Sequence, residues 1–267
     1  MISKKSKIHA TAVVAQGAKL GAGVELGPYA VIEDDVEIGP GTVIGPHAVI
    51  HSHTRIGARN RIHAHAILGD TPQHLAYKPE DVTWLEVGDD NMIREHVTVH
   101  RAYHAGAITR IGSNCLLMAA SHVAHDCSIG NHVIITNGAL LGGHVMVGDR
   151  TVLGGNTSVH QFVRIGPYAM VGASTMIRKD VLPYSMLAGD PARHYRLNSI
   201  GLRRNGITGE KYKVLEQAFR RLRAGEELDN IMQTEELHFL QEWLRQPSKR
   251  GLSSFVQRDS NHGDHGD

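Results

Sequence analysis

The stretch Leu20-Gly21-Ala22-Gly23-Val24-Glu25-Leu26-Gly27-Pro28-Tyr29-Ala30-Val31-Ile32 repeats one small device. A large aliphatic falls every six positions, a small or β-branched residue stands two before it, and glycine often follows it. Stepped outward by sixes, the aliphatics run Ile8, Val14, Leu20, Leu26, Ile32, Ile38, Ile44, Ile50, Ile56, Ile62 and Leu68 without a break. The step resumes at Val87, Ile93 and Val99, then from Ile111 through Leu117, Val123, Ile129, Ile135, Leu141, Val147, Leu153, Val159, Ile165 and Val171 to Ile177. A period of six fits neither a helix nor simple strand alternation. It fits a parallel β-helix with one short strand and one turn per hexad, so that three hexads close one triangular coil.

Composition agrees with a narrow, repetitive interior. Only 5% of residues are aromatic while 41% are hydrophobic, so the core is tiled by Ile, Val and Leu rather than by rings. The 29 glycines belong mainly to tight turns, and pairs such as Gly21-Ala22-Gly23 are turn residues rather than phosphate loops. With 28 Lys+Arg against 27 Asp+Glu the net charge is +1, which argues against a dedicated nucleic-acid binder. No apolar run approaches the roughly 18 residues of a membrane helix, and Met1 to Lys7 leads into no signal-peptide core. A soluble, cytoplasmic protein without an integral membrane segment is expected. Cys115 and Cys127 both occupy the small position of a hexad, which makes them packing residues on different faces of the prism.

The repeat breaks in two places. Leu68 and Val87 are 19 positions apart, so the phase slips by one and 69–86 is predicted to leave the prism as a loop carrying Gln73-His74-Leu75-Ala76. Such loops on rigid scaffolds often carry function. Val99 and Ile111 are 12 apart, so phase is kept, and His100 to Gly106 is expected to bulge only locally. The prism is therefore assigned to 1–190 and a helical region to 191–259. In that region Leu215, Phe219 and Leu222 share one helix face, and Leu237, Leu240 and Leu244 share another beside Trp243. The tail 260–267 is expected to be disordered.

Nineteen histidines call for sorting. His47, His51, His53, His63 and His65 sit among polar turn residues and read as surface groups. His122-Val123-Ala124-His125-Asp126-Cys127 is different, because two histidines stand beside a carboxylate. In a coil of three hexads His125, Gly143 and Gln161 stack in one column, with Asp126 and His144 beside them; His104 and His122 form another column. A base, a backbone amide and a side-chain amide then converge, which suits proton transfer beside an oxyanion. The same spacing is compatible with a solvated histidine ladder. A zinc site of the γ-carbonic anhydrase kind needs a histidine constellation that the spacing does not match.

The sequence resembles the hexapeptide-repeat transferases and, among them, the UDP-N-acetylglucosamine O-acyltransferase family of lipid A synthesis. The diagnostic words are Ile93-Arg94-Glu95-His96-Val97-Thr98-Val99-His100-Arg101, His122-Val123-Ala124-His125-Asp126-Cys127 and Val159-His160-Gln161-Phe162. The resemblance implies an all-β, left-handed parallel β-helix with a C-terminal α-helical region, assembled as a homotrimer with clefts between neighbours. It implies transfer of an R-3-hydroxyacyl group from acyl carrier protein to the sugar 3-hydroxyl. His125 would be the general base, Asp126 its support and the Gly143 amide the oxyanion donor. Gln73, His74, His122, Asn137, His144, His160, Gln161, Asn198 and Arg204 would bind substrate, and Met170, Ala173, Met176 and Pro191 would bound the acyl groove. Neither metal nor cofactor is implied, since the carrier protein brings its own phosphopantetheine.

Departures from the family pattern cluster on the acceptor side. Where the family commonly has Asp and Lys in the loop this chain has His74 and Ala76, and where it often has Glu and Arg at the start of the helical region it has Ile200 and Asn205. The expected acceptor is UDP-N-acetylglucosamine or a 3-amino analogue. A transferase for another nucleotide sugar and a non-catalytic β-helix scaffold are the alternatives. Arg203, Arg204 and the Arg220-Arg221-Leu222-Arg223 run are candidates for meeting an acidic carrier protein.

Overall fold

The computed structural model describes residues 6–257; the tail expected to be disordered, 260–267, lies outside the described residues. Short strands form three sheets of 11, 9 and 8 strands, the faces of a triangular prism. Away from the breaks in the repeat, successive coils pair in parallel with partners three hexads on, as in Glu25↔Val43, Val31↔Val49 and Lys19↔Glu37. The hexad aliphatics point inward, and Ile32, Ile50, Leu68, Ile93, Leu117, Ile135 and Leu153 are at most 1% exposed. Burying each such side chain stabilises the fold by about 1.5–3 kcal/mol.

Where glycine follows the aliphatic, a Cβ is costly, as expected of tight turns. The left-handed backbone falls elsewhere in the turn, at residues such as Tyr29, His47 and Asp126. At Gly21 the constraint is contact: a Cβ would stand 2.7 Å from the Pro40 nitrogen of the next coil. Stacking of turn on turn, not positive φ, selects glycine there. The cysteines are buried as predicted, each Sγ donating to a carbonyl of the coil above, Gly130 or Gly142. Burial pushes the Cys115 thiol up to about 11 and the Cys127 thiol up to about 12.

Both breaks in the repeat differ from expectation. Ile67–Asp70 and Trp84–Val87 are strands, so the first excursion covers only 71–83 instead of 69–86. Arg61 pairs with Val43 on one side at the usual three hexads, but with Met92 on the other, and the surplus of two hexads and one further position lies outside the prism. The second break is more than a bulge. Thr98 pairs with His122, four hexads on, where His122 pairs with Leu140, three hexads on, so one whole hexad lies outside. Spacing alone could not reveal this, because one hexad removed leaves the phase unchanged.

Both excursions leave from the same corner. The strands Ile67–Asp70, Thr98–His100, His122–Val123, Leu140–Leu141 and Ser158–Val159 lie in one sheet, and each is followed across that corner by a strand of the 8-stranded sheet. The turns after the last three of these strands carry His125, Gly143 and Gln161. The excursions belong to the two coils immediately before them, which places two loops next to one column of polar turns.

The region assigned to helices opens with a strand. Arg193–Leu197 pairs antiparallel with Ser185–Ala188 before α1 (Ser199–Arg204), α2 (Gly209–Ala224) and α3 (Glu235–Arg245). Leu215, Phe219, Leu237, Leu240 and Trp243 form a second core with Leu182 and Tyr184 from the end of the prism, while Leu222 and Leu244 pack at its edge. Gly225 ends α2 in the left-handed conformation, and the Thr234 hydroxyl caps α3 by accepting from the Leu237 amide at 3.2 Å. His194 joins the parts. Its Nε2 accepts from the Leu182 amide at 3.0 Å, and its Nδ1 donates to the Ser253 carbonyl at 3.0 Å.

Candidate active site

His125 is buried at the corner turn, 7% exposed, and its Nδ1 donates to Asp126 Oδ2 at 2.7 Å. Asp126 is in the left-handed region at φ 59°, as are His144 and Phe162 at the same position of the following turns. The Asp126 amide donates to Thr109 Oγ1 at 2.8 Å. Burial works to raise the Asp126 carboxyl. The hydrogen bond to His125, the Tyr103 amide and the nearby histidines more than offset it, and the net shift is downward. The pair is therefore an ionised carboxylate holding one ring nitrogen of an imidazole.

Gly143 lies above His125 in the predicted column. A Cβ there would come within 2.5 Å of the His125 Cε1 and 2.7 Å of Nε2. The His144 amide donates to the His125 carbonyl at 3.0 Å, whereas the Gly143 amide has no acceptor among the described residues. Many first turn residues share that free amide; this one stands against a buried imidazole. Gln161 continues the column, and a Cβ on Gly142 would stand 2.9 Å from its nitrogen.

Around this column lies a cavity of about 490 Å³ lined by Gln73, His74, His122, Ala124, His125, Leu140, Leu141, Gly142, Gly143, Ser158, Val159, His160 and Gln161. It collects five of the predicted binding residues: Gln73, His74, His122, His160 and Gln161. His122 shares a 2.7 Å hydrogen bond between Nδ1 and Thr98 Oγ1, and burial, reinforced by His100 and His125, lowers it to about 4. At neutral pH it offers a neutral ring rather than a charge. His144 stacks on Phe162 at 4.5 Å, and burial is the main cause of its lowered pKa, with Asp126 opposing.

Other predicted residues lie elsewhere. His104 does not stack beneath His122, because its hexad is outside the prism and Thr98 takes that place. Asn137 is an exposed turn residue that does not line the cavity. Asn198 is 9% exposed and caps α1, accepting from Gly201 and donating to the Tyr168 carbonyl. Arg204 is exposed on α1, also away from the cavity lining. Asn205 accepts from Arg150 at 2.7 Å and donates to the Gly201 carbonyl, tying the end of α1 to the prism, while Ile200 is 65% exposed. Of the acyl-groove candidates, Met170 lines an apolar cavity of about 440 Å³ with Gly172, Met186, Leu187, Ala188, Tyr195 and Arg196; Ala173, Met176 and Pro191 do not.

Two features are not legible in the spacing. Tyr103 enters the site from the extruded hexad, and the only hint is that this hexad lacks an aliphatic. His125, Asp126 and His144 each present one ligand atom, all within 4.8 Å of one another, the one such group of metal-ligating type among the described residues. Asp126 Oδ2 already accepts from His125 and from the Tyr103 amide, so a cation there would compete with both.

Comparisons with known proteins agree with this architecture. The profile described as Udp N-acetylglucosamine O-acyltransferase, Domain 2, matches residues 180–263, and the bacterial transferase hexapeptide profile matches 35–70 and 108–143. The acyl-[acyl-carrier-protein]--UDP-N-acetylglucosamine O-acyltransferase of Alkalilimnicola ehrlichii is 46% identical over 260 residues, covering 97% of this chain and 98% of that one. The enzyme of the same name from Halorhodospira halophila is 49% identical over 84% of this chain and 88% of its own. A Synechocystis enzyme of that name is 47% identical over 154 residues, 58% of this chain and 55% of the relative. LpxA from Acinetobacter baumannii superposes with a TM-score of 0.87 at 38% identity, over 92% of this chain and 99% of that one. UDP-N-acetylglucosamine acyltransferase from Campylobacter jejuni gives 0.86 at 35% identity, over 94% and 100%. The prism is accordingly a left-handed parallel β-helix, and the chain belongs to the acyl-[acyl-carrier-protein]--UDP-N-acetylglucosamine O-acyltransferase family.

Proposed function

We propose that His125 is the general base of the acyl transfer that this chain carries out, from acyl carrier protein to the 3-hydroxyl of UDP-N-acetylglucosamine, the first step of lipid A synthesis. The observation that carries the reading is the His125 contact with Asp126 at 2.7 Å on one side and with the space at Gly143 on the other. Nε2 takes the proton of the sugar 3-hydroxyl as the oxygen attacks the thioester carbon of the R-3-hydroxyacyl donor. The alcohol is a poor nucleophile until that proton is withdrawn. Asp126 keeps Nδ1 protonated and offsets the positive charge that the ring acquires. The Gly143 amide donates to the tetrahedral oxyanion. Collapse breaks the carbon–sulfur bond, and the imidazolium returns its proton to the departing phosphopantetheine sulfur. The chain needs neither metal nor cofactor of its own in this scheme.

Gln73, His74, His122, His144, His160 and Gln161 form the acceptor side. Asn137, Asn198 and Arg204, remote from the cavity lining, act in this reading from a neighbouring copy in a homotrimer, where two prisms close the open side of the cleft. Met170, Ala173, Met176 and Pro191 bound the acyl groove across the same boundary. The placement is cytoplasmic, in keeping with two water-soluble substrates. No described helix is long and apolar enough to cross a membrane.

The test is the initial rate with 3-hydroxyacyl carrier protein and UDP-N-acetylglucosamine for wild type and His125→Ala. Loss of general-base catalysis lowers kcat about 10²–10⁴-fold. Equal, measurable rates for the two proteins would defeat the assignment of His125 as the base.

A further inference from the structure

Two side-chain pairs join the excursions to each other. Arg101 donates to the Tyr77 hydroxyl at 2.9 Å and reaches the Gly69 carbonyl, anchoring the 71–83 loop at its base. Two residues later, Tyr103 stacks on His74 with centroids 4.0 Å apart and planes 25° apart. His74 in turn stands edge-on to His125 at 5.3 Å. The Tyr103 ring is also edge-on to His125, at 5.5 Å, and its amide donates to Asp126 Oδ2 at 3.2 Å. One residue therefore touches the loop, the base and the carboxylate that supports the base.

The loop around His74 is exposed, and Leu75 at its tip is fully exposed. Apart from Tyr103 the His74 ring makes the 3.2 Å contact with the Ala76 amide and the edge contact with His125. A side chain on such a loop has free rotamers, and stacking is what restricts it. His74 lines the cavity in which the sugar hydroxyl must reach His125.

We propose that Tyr103 is a positioning residue that clasps His74 against the acceptor cavity, so that His74, backed by the Tyr103 ring, forms one wall of the nucleotide-sugar subsite. The inference rests on His125 being the base that the sugar approaches. Binding cost is reduced because the wall is in place before the sugar arrives, and the effect falls on the acceptor rather than on the acyl carrier protein. The hydroxyl of Tyr103 has no role in the clasp; the ring does.

The experiment measures KM and kcat for UDP-N-acetylglucosamine with wild type, Tyr103→Phe, Tyr103→Ala, His74→Ala and the double variant Tyr103→Ala/His74→Ala. Removing the stack raises the acceptor KM about fivefold to tenfold in each single alanine variant, on the scale of one aromatic pair. The double variant is no worse than His74→Ala, because Tyr103 acts on the acceptor only through His74. Tyr103→Phe behaves as wild type, and KM for the acyl carrier protein is unchanged throughout. Should Tyr103→Ala fail to fold, Tyr103→Leu fills the space without stacking and carries the same expectation. An unchanged acceptor KM in the single variants, or a double variant whose KM rises by the product of the two, overturns the clasp. His125→Ala in the same series keeps the two ideas apart: a fully active His125→Ala removes the base assignment, whereas the KM pattern judges Tyr103.

Discussion

His125 occupies the space that any side chain on residue 143 would need, since a Cβ there would stand 2.5 Å from its Cε1. The imidazole thus packs against the Gly143 backbone because residue 143 carries no Cβ. Gly143→Ala pushes the ring from Asp126 and is expected to lower kcat about 10²-fold or more, the loss typical of a displaced base or oxyanion donor. Its neighbour provides the contrast. At Gly142 the clash is with backbone, 2.9 Å from the Gln161 nitrogen, so Gly142→Ala lowers the melting temperature instead. Thermal melts and initial rates on the two variants measure the contrast, and equal kcat losses would contradict it.

Asp126 tests the charge rather than the shape of the dyad. Asp126→Asn keeps a hydrogen-bonding group beside His125 but removes the anion, and kcat is expected to fall about 10²–10⁴-fold. Because the carboxyl sits below its ordinary range, it stays ionised as pH drops through the histidine range, and the acid limb of the wild-type profile does not belong to it. A pH–rate profile of wild type and Asp126→Asn checks both statements.

His194 links stability to pH. Burial lowers it from an ordinary value of 6.5 to about 4, and both ring nitrogens are satisfied in the neutral form. Below pH 6.5 the unfolded chain takes up a proton that the folded chain refuses. Its contribution is therefore complete above that pH and is lost as pH falls toward about 4, by roughly 3 kcal/mol over the whole window. His122 titrates in the same sense. Urea denaturation across this range should give a flatter pH dependence for His194→Gln, which is also less stable at neutral pH. An unchanged slope would remove His194 from the account.

Acyl length offers a test of the groove. Ala173→Gly removes bulk from an exposed turn beside the face that carries Met170. Within the proposed groove this shifts the product toward longer hydroxyacyl chains, read by mass spectrometry after reaction with donors of different length. An unaltered chain-length preference would remove Ala173 from the groove.

Much of the molecule is readable from its chain because the period is strict. The column of His125, Gly143 and Gln161 follows from a coil of three hexads, and the structure keeps that offset in the pairing of His122 with Leu140 and of Leu140 with Ser158. What periodicity cannot register is a departure that is itself one period long. The hexad around Tyr103 keeps every later aliphatic in phase, so its letters read as part of the prism, and the same logic sets His104 beneath His122. Asn198 also has a local use that no family word announces, in a helix cap and a contact with a carbonyl. The departures His74 and Asn205 are visible as letters, but their partners Tyr103 and Arg150 lie far along the chain and only packing brings them together.

The shared corner has a bearing on how such enzymes diversify. Strands on all three faces repeat with the same offsets before and after the longer and the shorter excursion, so chain inserted at that corner leaves the pairing of the scaffold untouched. Inheritance can therefore rewrite the two loops, in length as well as in letters, without endangering the folding of the coils beneath. Selection acting on the length of the two loops and selection acting on the strand pairing of the prism are decoupled by a single edge.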